Sequence, residues 1–251
     1  YVLFCALSTL SSILVIWALA KLLLKDKHLV GEFVQACYRS SAAILGTAFI
    51  QNIYGTSGMS GLMILGSVPL YNIFAVLILT LESPSADAHA AMGDKIKASI
   101  RGIFTNPILI GIALGFVYSL LRLPLPTMAN KTLSSLASLT SPLALLAIGA
   151  GFKGKAALGY LRPTAAATVI KLLVLPAVFL PLAFRMGFTN EKLVGLLVML
   201  GSVTTPAGYV MAKQMGHEGV LTGSVCVTTT FFSALTLTFW VLLAHSLGYI
   251  V

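Results

Sequence analysis

Two clusters in this 251-residue chain set hydroxyl-bearing and helix-breaking residues inside apolar runs. One is Gly201-Ser202-Val203-Thr204-Thr205-Pro206-Ala207-Gly208-Tyr209, between the apolar stretches 193–200 and 209–212; the other is centred on Ser40-Ser41, beside Arg39. Lipid supplies no water to the backbone groups that Pro206 frees, so such a break survives only where it packs in protein or lines a cavity. A helix restarting at Pro206 presents its positive end, with backbone amides and the Thr204 and Thr205 hydroxyls, to an anion. The competing reading is a packing kink, since proline, serine and threonine also bend membrane helices without binding anything.

Four further residues carry charge or hydrogen-bonding groups into apolar segments. Arg39 is the guanidinium near a break and has two readings: bidentate pairing with a carboxylate, or a cytoplasmic-end base snorkelling to headgroups. Lys171 falls near the middle of a span, where an ionised side chain is costly and functional by default. It either stabilises a bound anion, or stands in for a coupling cation, or snorkels from a shallower depth. Tyr71 and Asn72 could donate to a substrate or bond a neighbouring helix. Asp26, Glu32, Glu82, Asp87, Asp94, Glu191 and Glu218 all fall in connections or at span ends. No mid-membrane carboxylate relay is visible, and a coupling ion, H+ or Na+, would use hydroxyls and backbone carbonyls. No cofactor or metal is expected. Gly149 to Gly154 fits G-x-G-x-x-G, but it closes an apolar run instead of joining a strand to a helix. With no H-E-x-x-H or G-x-S-x-G present, an enzyme is not expected. Cys5, Cys37 and Cys226 are isolated and read as unpaired core thiols.

The elements that must position these groups are membrane helices. Hydrophobic residues make up 58% of the chain and charged ones 9%, against about 25% charged in soluble domains; mean hydropathy is +0.97. Eight spans are predicted, over 1–24, 33–54, 57–81, 107–121, 133–152, 163–184, 191–215 and 220–247. The fifth is broken at Thr140-Ser141-Pro142, and a surface helix lies within 82–106. The net charge of +9 sits mostly between spans, so it reports orientation and not nucleic-acid binding. Lys21, Lys25, Lys27, Arg39, Lys95, Lys97, Arg101, Lys153, Lys155, Arg162 and Lys213 share one side, against Arg122, Lys131, Arg185 and Lys192 on the other. The first set is therefore expected in the cytoplasm of a cell (inner) membrane protein, with the C-terminus outside.

Sliding the chain by 161 residues superposes spans 1, 2 and 3 on spans 6, 7 and 8. Gly55 meets Gly216, Gly58 meets Gly219, Ser41 meets Ser202, and Asn72 meets Ser233. The offset covers five spans, an odd number, so the two copies run in opposite senses across the membrane, the inverted-repeat architecture of secondary transporters. Spans 4 and 5 lack earlier partners, which predicts two more helices before Tyr1, ten in all.

Several motifs, taken in order, resemble the auxin efflux carrier family of membrane transporters. They are Arg39-Ser40-Ser41 with Ile44-Leu45-Gly46 and Tyr54-Gly55, then Pro69-Leu70-Tyr71-Asn72, then Asn106-Pro107-Ile108-Leu109-Ile110-Gly111, then Leu123-Pro124-Leu125-Pro126. Ser141-Pro142-Leu143-Ala144-Leu145-Leu146-Ala147-Ile148-Gly149-Ala150 and Thr205-Pro206-Ala207 with Met211-Ala212 complete the series. The resemblance implies an all-α integral membrane protein of inverted-repeat fold, ten helices in the family and eight here, with two broken crossover helices. It also implies a six-helix transport domain built from 1–83 and 161–251, with a cytoplasmic connection over 84–106 leading from its first half into scaffold helices in 107–160. Ser41 stands where the family usually has Asn and Ala48 where it has Pro, so a less broken first crossover is expected.

The reading that follows is a secondary transporter moving a small organic anion, a dicarboxylate or an auxin-like carboxylate, by alternating access. Its expected substrate-binding residues are Arg39, Ser40, Ser41, Tyr71, Asn72, Lys171, Ser202, Thr204, Thr205 and Pro206. A non-transporting receptor or scaffold on the same fold is the alternative. Gly111 and Gly115 offer a small-xxx-small face for a homodimer, although such faces also serve packing within one chain.

Overall fold

The computed structural model describes residues 1–56, 58–83, 100–102, 104–105, 107–121, 125–151 and 154–250, with Ile108 in its backbone alone. The surface helix expected within 82–106 falls mostly outside these residues, as do Lys95, Lys97, Arg122, Pro124 and Lys153. Among the described residues all regular structure is helical. Val2–Leu23, Gly58–Leu81, Thr127–Gly151, Leu161–Arg185 and Val220–Ser246 are each long and apolar enough to cross a membrane. The pair Asn190–Gly201 and Pro206–Gln214, bent by 40°, is long and apolar enough to make a sixth when taken as one broken span. The protein is an all-α integral membrane protein.

In chain order, α1 is Val2–Leu23, α2 Val30–Tyr38, α3 Thr47–Tyr54, α4 Gly58–Leu81, α5 Pro107–Leu121 and α6 Thr127–Gly151. They are followed by α7 Gly154–Gly159, α8 Leu161–Val169, α9 Leu175–Arg185, α10 Asn190–Gly201, α11 Pro206–Gln214 and α12 Val220–Ser246. Single π-helical turns over Ala42–Gly46 and Ile170–Val174 continue into α3 and α9. The first crossover is thus α2, a break at Arg39–Ser41, and the π turn with α3. The second is α10, a break at Ser202–Thr205, and α11.

At the centre lie the first halves of both crossovers. All nine residues of α2 are buried, as is α10 from Leu193 to Gly201. Around them α1 packs on α2 and α4, while α12 packs on α2, α8 and α10. Close approach depends on small residues, because lipid tails are as apolar as leucine and tight packing must hold the helices together. A Cβ on Gly66 of α4 would stand 2.7 Å from the Val2 carbonyl oxygen. α5 packs on α4 and α6 on α11, and both leave most of their leucines exposed, as lipid-facing helices do.

The repeat register is visible in the termini. α3 ends at Gly55, in the left-handed conformation at φ 70°, and Gly216, its partner at the offset, has φ 82° after α11. Two expectations are corrected. α6 runs unbroken through Thr140-Ser141-Pro142, because one internal proline in a membrane helix need only bend it, the freed carbonyl being met locally. The first crossover is fully broken despite lacking a proline: Arg39 is extended at φ −73°, ψ 124° and Ser41 has φ −80°, ψ 43°. Tertiary contacts, not local chemistry, hold this break open.

Candidate functional site

Each break separates backbone groups that a continuous helix would pair. At the first, the Tyr38 carbonyl accepts from Lys171 Nζ at 2.9 Å, and Ser41 N–H donates to the Val203 carbonyl of the other break at 3.0 Å. At the second, the equivalent carbonyl is that of Met199, and it accepts from the Tyr71 hydroxyl at 3.1 Å. The two crossovers are therefore tied to one another where they meet. Each orphaned helix end is capped by a residue from the opposite repeat.

Between the breaks lies a cavity of about 110 Å³, lined by Arg39, Ser40, Ser41, Ala43, Ile44, Val68, Tyr71, Asn72 and Thr205. Arg39 comes from the first break and is 4% exposed. Its Nη2 donates to Asn72 Oδ1 at 2.8 Å and its Nη1 meets Met211 Sδ at 2.8 Å, while Nε has no partner. Asn72 is oriented by its own donation to the Val68 carbonyl at 2.9 Å, which turns its oxygen to the guanidinium. The Ser40 and Tyr71 hydroxyls lie 3.2 Å apart. The lining residues include no carboxylate, and Arg39 has no ion-pair partner among the described residues. The positive ends of α11 and of the π turn Ala42–Gly46 start beside it. This site can take up negative charge.

Six of the ten expected residues meet here: Arg39, Ser40, Ser41, Tyr71, Asn72 and Thr205. The other four do not line the cavity. Thr204 is consumed by the fold, its hydroxyl donating to the Ala36 carbonyl at 2.8 Å and its N–H to Thr229 Oγ1 at 3.1 Å. Ser202 is wholly buried with its hydroxyl unpartnered, and Pro206 starts α11 at its first position, where a missing N–H costs nothing. Lys171, 0% exposed, reaches the back of the first break. Neither base snorkels: Arg39 lies in the break and Lys171 in the interior, so the orientation count over the remaining connections becomes ten against four.

Sequence reasoning missed two further groups. Gln35 Nε2 donates to the Gly208 carbonyl at 3.0 Å and ties α2 to α11. Glu32, expected at a span end, is 2% exposed. Its Oε1 accepts from Gly219 N at 2.7 Å, and its Oε2 from Thr222 N at 3.0 Å and Thr222 Oγ1 at 3.1 Å, so it caps the start of α12. A carboxylate at a positive helix end is favourable. The signal available was an acidic residue, Glu32, in the first turn of a helix, where a carboxylate commonly caps or complements a helix end.

Among the described residues no group of three or more His, Cys, Asp or Glu could hold a metal. No curated protein matches the chain. A family model described as membrane transport protein matches residues 1–241. A transporter of small substrates in a membrane is what an interrupted, cross-braced pair of helices around a small polar cavity suits, and the chain belongs to that membrane transport protein family, the auxin efflux carriers.

Proposed function

We propose that the protein is a secondary transporter of a small organic anion, a dicarboxylate or an auxin-like carboxylate, working by alternating access. The observation that carries this reading is Arg39: a buried guanidinium with an unpartnered Nε and no counter-ion among the described residues, in a cavity lined without carboxylates. A buried charge without a counter-ion costs several kcal/mol even after relaxation, and the bonds to Asn72 and Met211 supply no negative charge. A substrate carboxylate offsets that cost through paired, charge-assisted hydrogen bonds to the guanidinium fork. Ser40, Ser41, Tyr71, Asn72 and Thr205 supply hydroxyl and amide groups around it, and the start of α11 adds a positive helix end.

A cavity of about 150 Å³ holds benzene, so 110 Å³ encloses the carboxylate end and the first few atoms of the substrate. The helices of 1–83 and 161–251 form the moving transport domain in this reading, and those of 107–160 the scaffold. On α5, a Cβ added at Gly111 or Gly115 would meet nothing within 4 Å, which leaves that face open to a second copy. The membrane is the cell (inner) membrane, with the C-terminus outside.

The test is thermal unfolding of the purified protein with malonate, malate or indole-3-acetate, against matched inorganic salts. An acid at about 100 times its dissociation constant stabilises the fold by about 2.7 kcal/mol. Flux of the stabilising acid into sealed proteoliposomes is then expected. Stabilisation without flux would replace transport by a receptor role, and no stabilisation by any acid would remove the anion.

A further inference from the structure

Lys171 is a buried base that the cavity does not use. It belongs to the π turn Ile170–Val174, has no exposed surface, and donates to the Tyr38 carbonyl at 2.9 Å. That carbonyl is half of the peptide group that leads into Arg39, so the ammonium stands directly behind the residue that carries the guanidinium. The elements packed against the π turn are α2, α8, α9, α10 and α12. α2 presents Cys37, fully buried beside Tyr38, and Tyr38 itself, whose phenol donates to the Tyr71 carbonyl at 3.2 Å. Glu32 lies nearly two turns away on α2 and is committed to Gly219 and Thr222. α8 carries Arg162 and α9 Arg185 at their outer ends, α10 carries Glu191 and Lys192 in its first turn, and α12 carries Cys226 and His245. Among the described residues Lys171 has no ion-pair partner.

Lys171 and Arg39 are two buried bases that share the Tyr38–Arg39 peptide group and have no ion-pair partner among the described residues, and like charges in a low-dielectric interior repel one another. Arginine keeps its proton in proteins; a buried lysine gives its proton up readily. The arrangement therefore has one titrating member. A carboxylate bound at Arg39 supplies the missing negative charge, and linkage then requires that proton and carboxylate each strengthen the binding of the other. We propose that Lys171 is the proton-binding group that couples this transporter to H+, taking up one proton as the anion enters and losing it as the anion leaves. The proton comes from water on the entry side and returns to water on the exit side, and one proton accompanies one carboxylate charge. The backbone provides the mechanical link. Protonated Lys171 holds the Tyr38 carbonyl and with it the open geometry of the first break, so the site is shaped for the anion when the proton is present.

This inference rests on the anion reading of Arg39, and the experiment separates the two. Calorimetric binding of malonate and of indole-3-acetate to the purified protein is measured in phosphate and in Tris between about pH 7 and about pH 9, where carboxylates stay ionised. The difference between buffers counts protons taken up. The wild type is expected to take up about one proton per anion near the upper end of this range, with affinity falling up to about tenfold per pH unit. Lys171→Arg keeps the charge and a donor but does not titrate, and is expected to bind with no proton uptake and no pH dependence. Lys171→Gln keeps a donor without charge and is expected to bind more weakly, again without uptake. Wild-type binding with no proton uptake, or unchanged uptake in either variant, overturns the proposal while leaving the anion site standing. Absence of binding by the folded wild type overturns both.

Discussion

The two crossovers repeat one backbone device at an offset of 161 residues, the separation of Gly55 and Gly216, but they are chemically unlike. The second break is neutral and begins its second half with Pro206; its threonine Thr204 is sealed into hydrogen bonds with Ala36 and Thr229. The first break has no proline, carries Arg39, and leans on Lys171. Even the caps differ: the equivalent carbonyls of Tyr38 and Met199 are met by an ammonium and by a phenol. A break written into the local sequence by proline needs no charge to hold it. A break maintained by distant side chains can be shaped by what binds to those side chains. On the proposed reading, charge recognition falls to the first crossover, and the second contributes a preformed helix end with one residue, Thr205, at the cavity wall.

The largest effect expected from this contrast is at Arg39. Arg39→Gln should weaken binding of the stabilising acid by about 100-fold or more, since truncating one partner of a buried charge pair costs about 2–5 kcal/mol. Affinity within a few fold of wild type in a folded Arg39→Gln protein would end the idea that the first crossover recognises charge. Next is Glu32→Ala, which strands the Gly219 and Thr222 amides and should lower unfolding stability by about 1–3 kcal/mol with little change in affinity. A selective loss of binding would instead make Glu32 part of the site.

The neighbouring threonines sharpen the comparison further. Thr205→Val should cost about 1 kcal/mol of binding, the worth of one hydrogen bond, and leave the protein folded. Thr204→Val should cost about 0.6 kcal/mol of stability, an average interhelical hydrogen bond in a membrane, and leave affinity unchanged. If the two variants exchanged these phenotypes, the second break would face its substrate through Thr204 and the cavity would be wrongly drawn. The smallest effect is expected at Ser202, whose buried hydroxyl has no partner. Ser202→Ala should be neutral or stabilising by up to about 1 kcal/mol, and a clear loss of binding there would reveal a ligand on the far side of the break.

The expected site centres on 201–209, whereas the observed cavity draws most of its lining from 39–44 and 68–72. Thr205-Pro206 advertises a break because proline acts locally, whereas Arg39-Ser40-Ser41 has no local breaker. Its opening rests on Lys171, 133 residues away from Tyr38, and on Val203. For the same reason Arg39 could be read from sequence as a base near a span end. Nothing in its neighbours states that α2 is buried on every side.

What the sequence determined by itself is whatever depends on length, apolarity and single-residue backbone preference. It set the membrane helices, the break before Pro206, the glycine ends at Gly55 and Gly216, the repeat offset and membership of the transporter family. Hydrophobic length and proline or glycine geometry act within a turn or two, so they can be read in one dimension. Tertiary structure decided which polar groups are free to meet a substrate and which are spent on the fold. Thr204 and Thr205 are adjacent and chemically identical, but one finds the Ala36 carbonyl 168 residues away and the other finds the cavity. That choice is made by packing across the two repeats, where hydrogen-bond partners come from distant segments and local preference has no say.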